Sequence, residues 1–202
     1  DETIDTVTCV DGLGRVIQTR KSAEALVGTE KRPGMTVSGK TGYDTYGRTA
    51  AQGQPEFTGD ISSAYIPRNA PLRATRYEYA AMGRTTRIEY PDGTDAAMEY
   101  GFAAQGTANR FYTLTTDQMG NEKRALRDAR GNIRQIREYP GGNAITTTYA
   151  YNPLGEITRV TDDRGNNTTM SYDLLGRRES VYNPDAGLVT YMYDTAGNMI
   201  RK

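Results

Sequence analysis

The strongest constraint on this 202-residue chain is that it repeats itself. YAYNPLGEI (Tyr149 to Ile157), MSYDLLGRR (Met170 to Arg178) and YMYDTAGNM (Tyr191 to Met199) superpose at a fixed step. Tyr151, Tyr172 and Tyr193 stand 21 residues apart, and so do Gly155, Gly176 and Gly197. Looser copies precede them: around Gly14; over Tyr43, Asp44, Gly47 and Arg48; over Tyr79 and Gly83; around Gly120; and over Asp128 and Gly131. Units this short cannot bury a face alone and must stack on their neighbours. The glycine spacing is uneven over 1–114, which reads as repeats with insertions, and regular over 115–202. One continuous array of repeats is expected.

Each copy describes a turn. Asp or Asn stands three residues before the glycine in every copy except the one with Ala80. Asp opens a type I turn by bonding its own backbone, and Gly closes it at positive φ without steric cost. That combination is a short hairpin loop with a bulge glycine. A second breaker falls between such turns, at Pro91–Gly93, Pro140–Asn143, Asp163–Asn166 and Asn183–Gly187. Turns about ten residues apart leave strands of about six, a usual strand length. The predicted fold is all-β: consecutive antiparallel hairpins in a curved or spiralling sheet. Side chains two apart share a face, so Thr147, Tyr149 and Tyr151 lie together. Tyr151, Tyr172 and Tyr193 are expected to form an aromatic ladder between neighbouring strands. The segments at about 20–42, 49–76 and 101–113 break the rhythm and read as loops or edge decorations, with a turn or short helix at Ser22–Val27.

Composition agrees with a thin core. Val, Ile, Leu and Phe make up about 15% of the chain, a level associated with disorder when net charge is high. Here Lys+Arg and Asp+Glu both number 25, and 15 tyrosines supply rings suited to half-buried sheet surfaces. Zero net charge removes any global pull toward nucleic acid or anionic membrane. No apolar run approaches the roughly 20 residues that span a bilayer, so no membrane insertion is expected. The opening DETIDTVTCV lacks the basic start and apolar stretch of a signal peptide. Either the parent protein is exported by another route or its start lies upstream, and the second is expected.

Candidate chemistry is sparse. With no histidine, Ser-His-Asp and Cys-His systems are absent, and one cysteine, Cys9, makes neither a disulfide nor a zinc site. Asp162 and Asp163 sit beside Gly165 in a turn that favours Asp, and the recurring Asp44, Asp117, Asp128, Asp173 and Asp194 read the same way. One acid per repeat supplies too few oxygens for calcium. The stretch Arg124, Arg127, Arg130, Arg134 and Arg137 is interleaved with Glu122, Asp128 and Glu138, which describes a solvated strand face. No enzyme, cofactor or metal is expected.

The pattern YxYDxxGR followed by a second turn, carried by Tyr172–Arg177, Tyr191–Asn198 and Tyr43–Arg48, resembles the Rhs/YD-repeat family of Rhs and insecticidal toxin-complex proteins. The resemblance spans nearly the whole chain, most strongly from about residue 115. It implies a stretch of wall in a hollow β-shell that encloses a C-terminal toxin or effector, within a larger exported protein, secreted or at the cell surface. The shell of eukaryotic teneurins is related. The partners implied are neighbouring repeats and that cargo. The many tyrosines leave an alternative, a carbohydrate-binding or adhesion array.

Overall fold

The computed structural model describes residues 4–65 and 73–202. The chain divides into two units, Asp1–Ala97 and Met98–Lys202. Both are built from antiparallel strands in open sheets.

In the first unit, β1 (Thr6–Val10), β2 (Val16–Val27), β3 (Glu30–Ser38) and β6 (Glu56–Thr58) form one sheet in that order. A second ladder holds β4 (Thr41–Tyr43), β5 (Thr49–Gly53), β7 (Ala74–Tyr79) and β8 (Thr85–Glu89), the last paired with the first residues of β9 (Asp95–Gln105). Thus the chain leaves the ladder after β5, adds β6 beside β3, and returns at β7. Gly34 permits that excursion, because a Cβ there would sit 2.3 Å from the Thr58 carbonyl oxygen.

The second unit is simpler. From β9 through β10 (Ala108–Thr116), β11 (Glu122–Arg127), β12 (Ile133–Glu138), β13 (Ile145–Tyr151), β14 (Ile157–Thr161), β15 (Asn167–Tyr172), β16 (Arg178–Asn183) and β17 (Gly187–Thr190), each strand pairs with the next in chain order. A final hairpin joins β18 (Met192–Tyr193) to β19 (Met199–Arg201). Burial is light, as the composition implied: Met35, Val37, Ala51, Ala74 and Leu126 are the buried apolar side chains among the described residues.

Three readings of the sequence are corrected. The stretch 20–42 is mostly the long β2–β3 hairpin, and 101–113 belongs to the long β9–β10 hairpin. Each turns through a two-residue Gly-Thr loop, with Gly28 at φ 69° and Gly106 at φ 60°. Glycine first in a two-residue loop suits the twist of the flanking strands. Ser22–Val27 is strand rather than helix, its residues paired one for one with those of β3. Within 49–76 lie β5, β6 and the start of β7; residues 66–72, with Pro67 and Pro71, fall outside the described residues. The turn at Gly120 joins β10 to β11 and that at Gly131 joins β11 to β12. They close opposite ends of one strand, so the 11-residue step between these glycines is a strand length and not a short repeat.

Candidate functional site

The repeat turn is a small hydrogen-bonded machine. At Asp173–Arg177, the Gly176 amide donates to the Asp173 carbonyl at 3.0 Å, and the Asp173 amide donates to the Arg177 carbonyl at 2.9 Å. Oδ1 of Asp173 accepts from the amides of Leu175 and Arg177, both at 2.9 Å, and Oδ2 accepts from Arg177 Nε at 2.6 Å. One carboxylate therefore satisfies two turn amides and one side chain. Gly176, at φ 79°, supplies the conformation that lets the strand resume.

The fifth position of the motif is part of this unit. Arg15 with Asp11 and Arg48 with Asp44 repeat the arrangement. Asn121, Asn132, Asn166 and Asn198 donate through Nδ2 to Asp117, Asp128, Asp162 and Asp194. In the copy with Asn152 the polarity reverses: Asn152 Nδ2 donates to Glu156 Oε2 at 2.6 Å. An acid at either end finds a donor at the other. These bonds act on the acids themselves. The Arg15 side chain holds the Asp11 carboxyl below the usual range, and Asn121, Asn166 and Asn198 do so for Asp117, Asp162 and Asp194. At Asp44, Asp128 and Asp173 partial burial pushes upward, but donors from Arg48, Asn132 and Arg177 outweigh it.

The repeat tyrosine joins one turn to the next. Tyr43, Tyr79, Tyr151, Tyr172 and Tyr193 each end a strand, and each hydroxyl donates to a main-chain carbonyl: Val16 at 3.2 Å, Thr49 at 2.7 Å, Ile133 at 2.8 Å, Ile157 at 2.9 Å and Arg178 at 2.9 Å. Every acceptor lies two residues after a turn glycine: Gly14, Gly47, Gly131, Gly155 and Gly176. The arginine of that earlier turn covers the ring in three cases, with Arg15 3.9 Å from the Tyr43 centroid, Arg48 4.5 Å from Tyr79 and Arg177 4.8 Å from Tyr193. Where Asn132 replaces arginine, Arg134 takes the role over Tyr151 at 5.5 Å. Arg48 and Arg177 also donate to the carbonyls of Ala80 and Asp194, the first residues of the following turns.

The expected aromatic ladder is thus replaced. Tyr151 and Tyr172 lie on β13 and β15 with β14 between them, Tyr193 lies on β18 in the separate terminal hairpin, and the ring pairs among the described residues are Tyr100–Phe111 and Phe102–Phe111. Strands about 4.8 Å apart put every second one too far for rings to touch face to face, so hydroxyls and guanidinium groups make the links.

The basic stretch is largely used internally. Arg124 lies 4.2 Å from the Tyr112 centroid, Arg127 donates to Gly131, Arg130 to Pro153 and Arg137 to Thr146. Cys9 sits half-buried in β1, and Asp163 accepts from the Thr146 amide at 2.9 Å. No group of three or more metal-ligating side chains occurs among the described residues. Sequence reasoning missed a polar cluster in the first unit. Arg20, fully buried in β2, donates to the carbonyls of Asp60 and Ala64 and lies 3.5 Å from Asp60 Oδ2. Lys40, also buried, pairs with Glu56. Arg20 thus pins the segment after β6 to the sheet, and Lys40 holds the start of β6. Nothing in a single sequence marks such a charge as buried.

The chain is similar in sequence and fold to known proteins. The family model described as RHS Repeat matches residues 127–166 and 151–187. Over 187 residues the chain is 27% identical to the double-stranded DNA deaminase toxin A of Burkholderia cenocepacia (strain H111), covering 93% of this chain and 11% of that protein. A crystal structure of TcdB2-TccC3 superposes with TM-score 0.75 at 18% identity, over 97% of this chain and 11% of the other. The Photorhabdus luminescens Tc holotoxin pore gives TM-score 0.63 at 16% identity, over 97% and 12%. The chain therefore spans about a tenth of the length of these relatives, and the solved structures establish likeness of fold.

Proposed function

We propose that this RHS-repeat chain is a stretch of wall in a β-shell that encloses a toxin or effector domain of its parent polypeptide. The carrying observation is a recurring tie from turn to turn: five repeat tyrosines each bond the backbone of an earlier turn, which stiffens a sheet with little core. A container wall needs that rigidity more than it needs a catalytic cleft. The likeness in fold to TcdB2-TccC3 and in sequence to a deaminase toxin supports the reading. On this reading the segment is structural and non-enzymatic, any deaminase-like chemistry belongs to a separate domain, and the parent protein is exported. The carbohydrate alternative is weakened, because the five repeat tyrosines commit their hydroxyls to main-chain carbonyls.

Limited proteolysis of the full-length parent, followed by mass spectrometry, tests this. Enclosure requires a segment outside the repeats that resists digestion while the repeats are intact and becomes sensitive once they are opened. Rapid digestion of everything outside a surviving repeat region would exclude a container.

A further inference from the structure

In the second unit, the tip of the β9–β10 hairpin and the sheet strands β12 to β14 line a half-open cavity of about 340 Å³, whose walls include three arginines, Arg110, Arg134 and Arg159. The remaining lining is Gln105, Gly106, Thr148, Tyr149, Ala150 and Thr161, with no carboxylate. Each arginine is placed for a local reason. Arg110 donates through Nε to Gln105 Oε1 at 2.5 Å, across the Gly106–Thr107 turn. Arg134 is the extra residue of a bulge, since Leu126 pairs with Gln135 and Arg127 with Ile133; a bulge re-aims the side chain it carries. Arg159 lies opposite Ala150, and Thr161 opposite Thr148, so these four share a face.

None of the three arginines forms an ion pair with a described residue, whereas Arg15, Arg48, Arg76, Arg87 and Arg177 each do. The nearest opposing influence is on Arg134, whose charge helps hold the Asp128 carboxyl low. Converging guanidinium groups without counter-charge form a site for oxyanions, which they grip in bidentate fashion.

We propose that this cavity binds the carboxylates of an acidic polypeptide segment. Its volume is roughly that of ten waters, at about 30 Å³ each, which is more than one small anion fills. Its floor of threonine and alanine suits the stems of side chains. The site stands independently of the container reading.

The probe is a fluorescein-labelled deca-glutamate peptide, titrated against the intact chain by anisotropy at low salt, with a labelled single-stranded oligonucleotide in parallel. Binding should weaken as salt rises. Arg134→Gln and Arg159→Gln should each weaken it by about tenfold, the scale of one charged hydrogen bond, while Arg76→Gln and Arg87→Gln leave it unchanged. Arg159 is exposed and its side chain bonds no described residue, so Arg159→Gln keeps the fold even if Arg134→Gln, which uncovers Tyr151, does not. Absence of peptide binding, equal binding by all variants, or stronger binding of the oligonucleotide would each overturn the proposal. None of these results bears on whether the parent protects a cargo.

Discussion

The hydroxyl of Tyr172 donates to the main-chain carbonyl of Ile157 at 2.9 Å, two residues past the bulge glycine of the preceding turn. Ile157 pairs with Tyr151, the tyrosine one repeat earlier. The acceptors of Tyr79 and Tyr193, Thr49 and Arg178, likewise pair with Tyr43 and Tyr172, so these repeats are anchored beside the tyrosine before them, and this fixes the register between those hairpins. The 21-residue step follows: two strands and two turns must elapse before a tyrosine again faces such a carbonyl. One contact explains why the tyrosine precedes the aspartate and why its distance from the glycine stays constant.

Replacing that tyrosine with phenylalanine isolates the hydroxyl. Tyr172→Phe should cost about 1 kcal/mol, the net worth of one such bond, read as a lower urea midpoint with unchanged slope. Tyr172→Ala should cost clearly more, because the half-buried ring goes too. If Tyr172→Phe leaves the midpoint untouched, the hydroxyl bond contributes nothing to holding the repeats together.

The reversed pair Asn152–Glu156 offers a test by exchange. Asn152→Asp places two carboxylates where one donor and one acceptor met, and should destabilise by about 1 kcal/mol. Adding Glu156→Asn recreates the Asp–Asn pairing of the neighbouring turns and should restore most of the loss. A double-mutant cycle reads the coupling directly. Additive effects would mean that the first and fifth positions of the turn do not sense each other.

Two glycines are required for different reasons. Gly155 adopts φ 90° in open space, so Gly155→Ala is strained by the backbone alone, by about 1–2 kcal/mol. Gly101 has no such φ, but a Cβ there would meet the Tyr112 ring at 2.8 Å. Gly101→Ala should be relieved by Tyr112→Leu, whereas no neighbouring substitution should relieve Gly155→Ala. Thermal denaturation of the two single variants and the rescued pair distinguishes the cases. A Gly101→Ala protein as stable as the parent would show that the ring moves aside freely.

The turns were legible in the sequence because Asp-x-x-Gly encodes its own geometry over four residues, with no help from distant contacts. The long hairpins at Gly28 and Gly106 were not, although each carries a two-residue Gly-Thr signal, because they interrupt the dominant rhythm and so resemble insertions. Tyr172 was found but its bond was not: ring spacing suggests stacking, while the partner carbonyl of Ile157 belongs to the backbone and leaves no mark in the sequence. The arginine cavity shows the same limit. Arg134 and Arg159 lie on strands that pairing brings together, and Arg110 reaches them only because the β9–β10 hairpin extends over the sheet.

The turn acids also set a pH dependence. Asp11, Asp117, Asp162 and Asp194 are held below their ordinary value of 3.8 by side-chain donors, and Asp44, Asp128 and Asp173 by amide and side-chain donors that overcome burial. For an acid lowered by folding, the stabilisation is complete above the unfolded value and disappears as pH falls through the folded one. Urea midpoints should therefore be level between about pH 5 and 8 and fall steeply below about pH 4. With no histidine in the chain, no step from that side chain interrupts the plateau. At the alkaline end, the bond to Glu99 raises Tyr112 and burial raises Tyr151. Their contribution is intact below about pH 10 and lost above it. Asp173→Asn keeps an acceptor for the turn amides but removes the titrating group. It should lower the midpoint at neutral pH and narrow the gap from the parent below pH 4. A gap that stays constant across the acid limb would show that Asp173 titrates alike in the folded and unfolded chain.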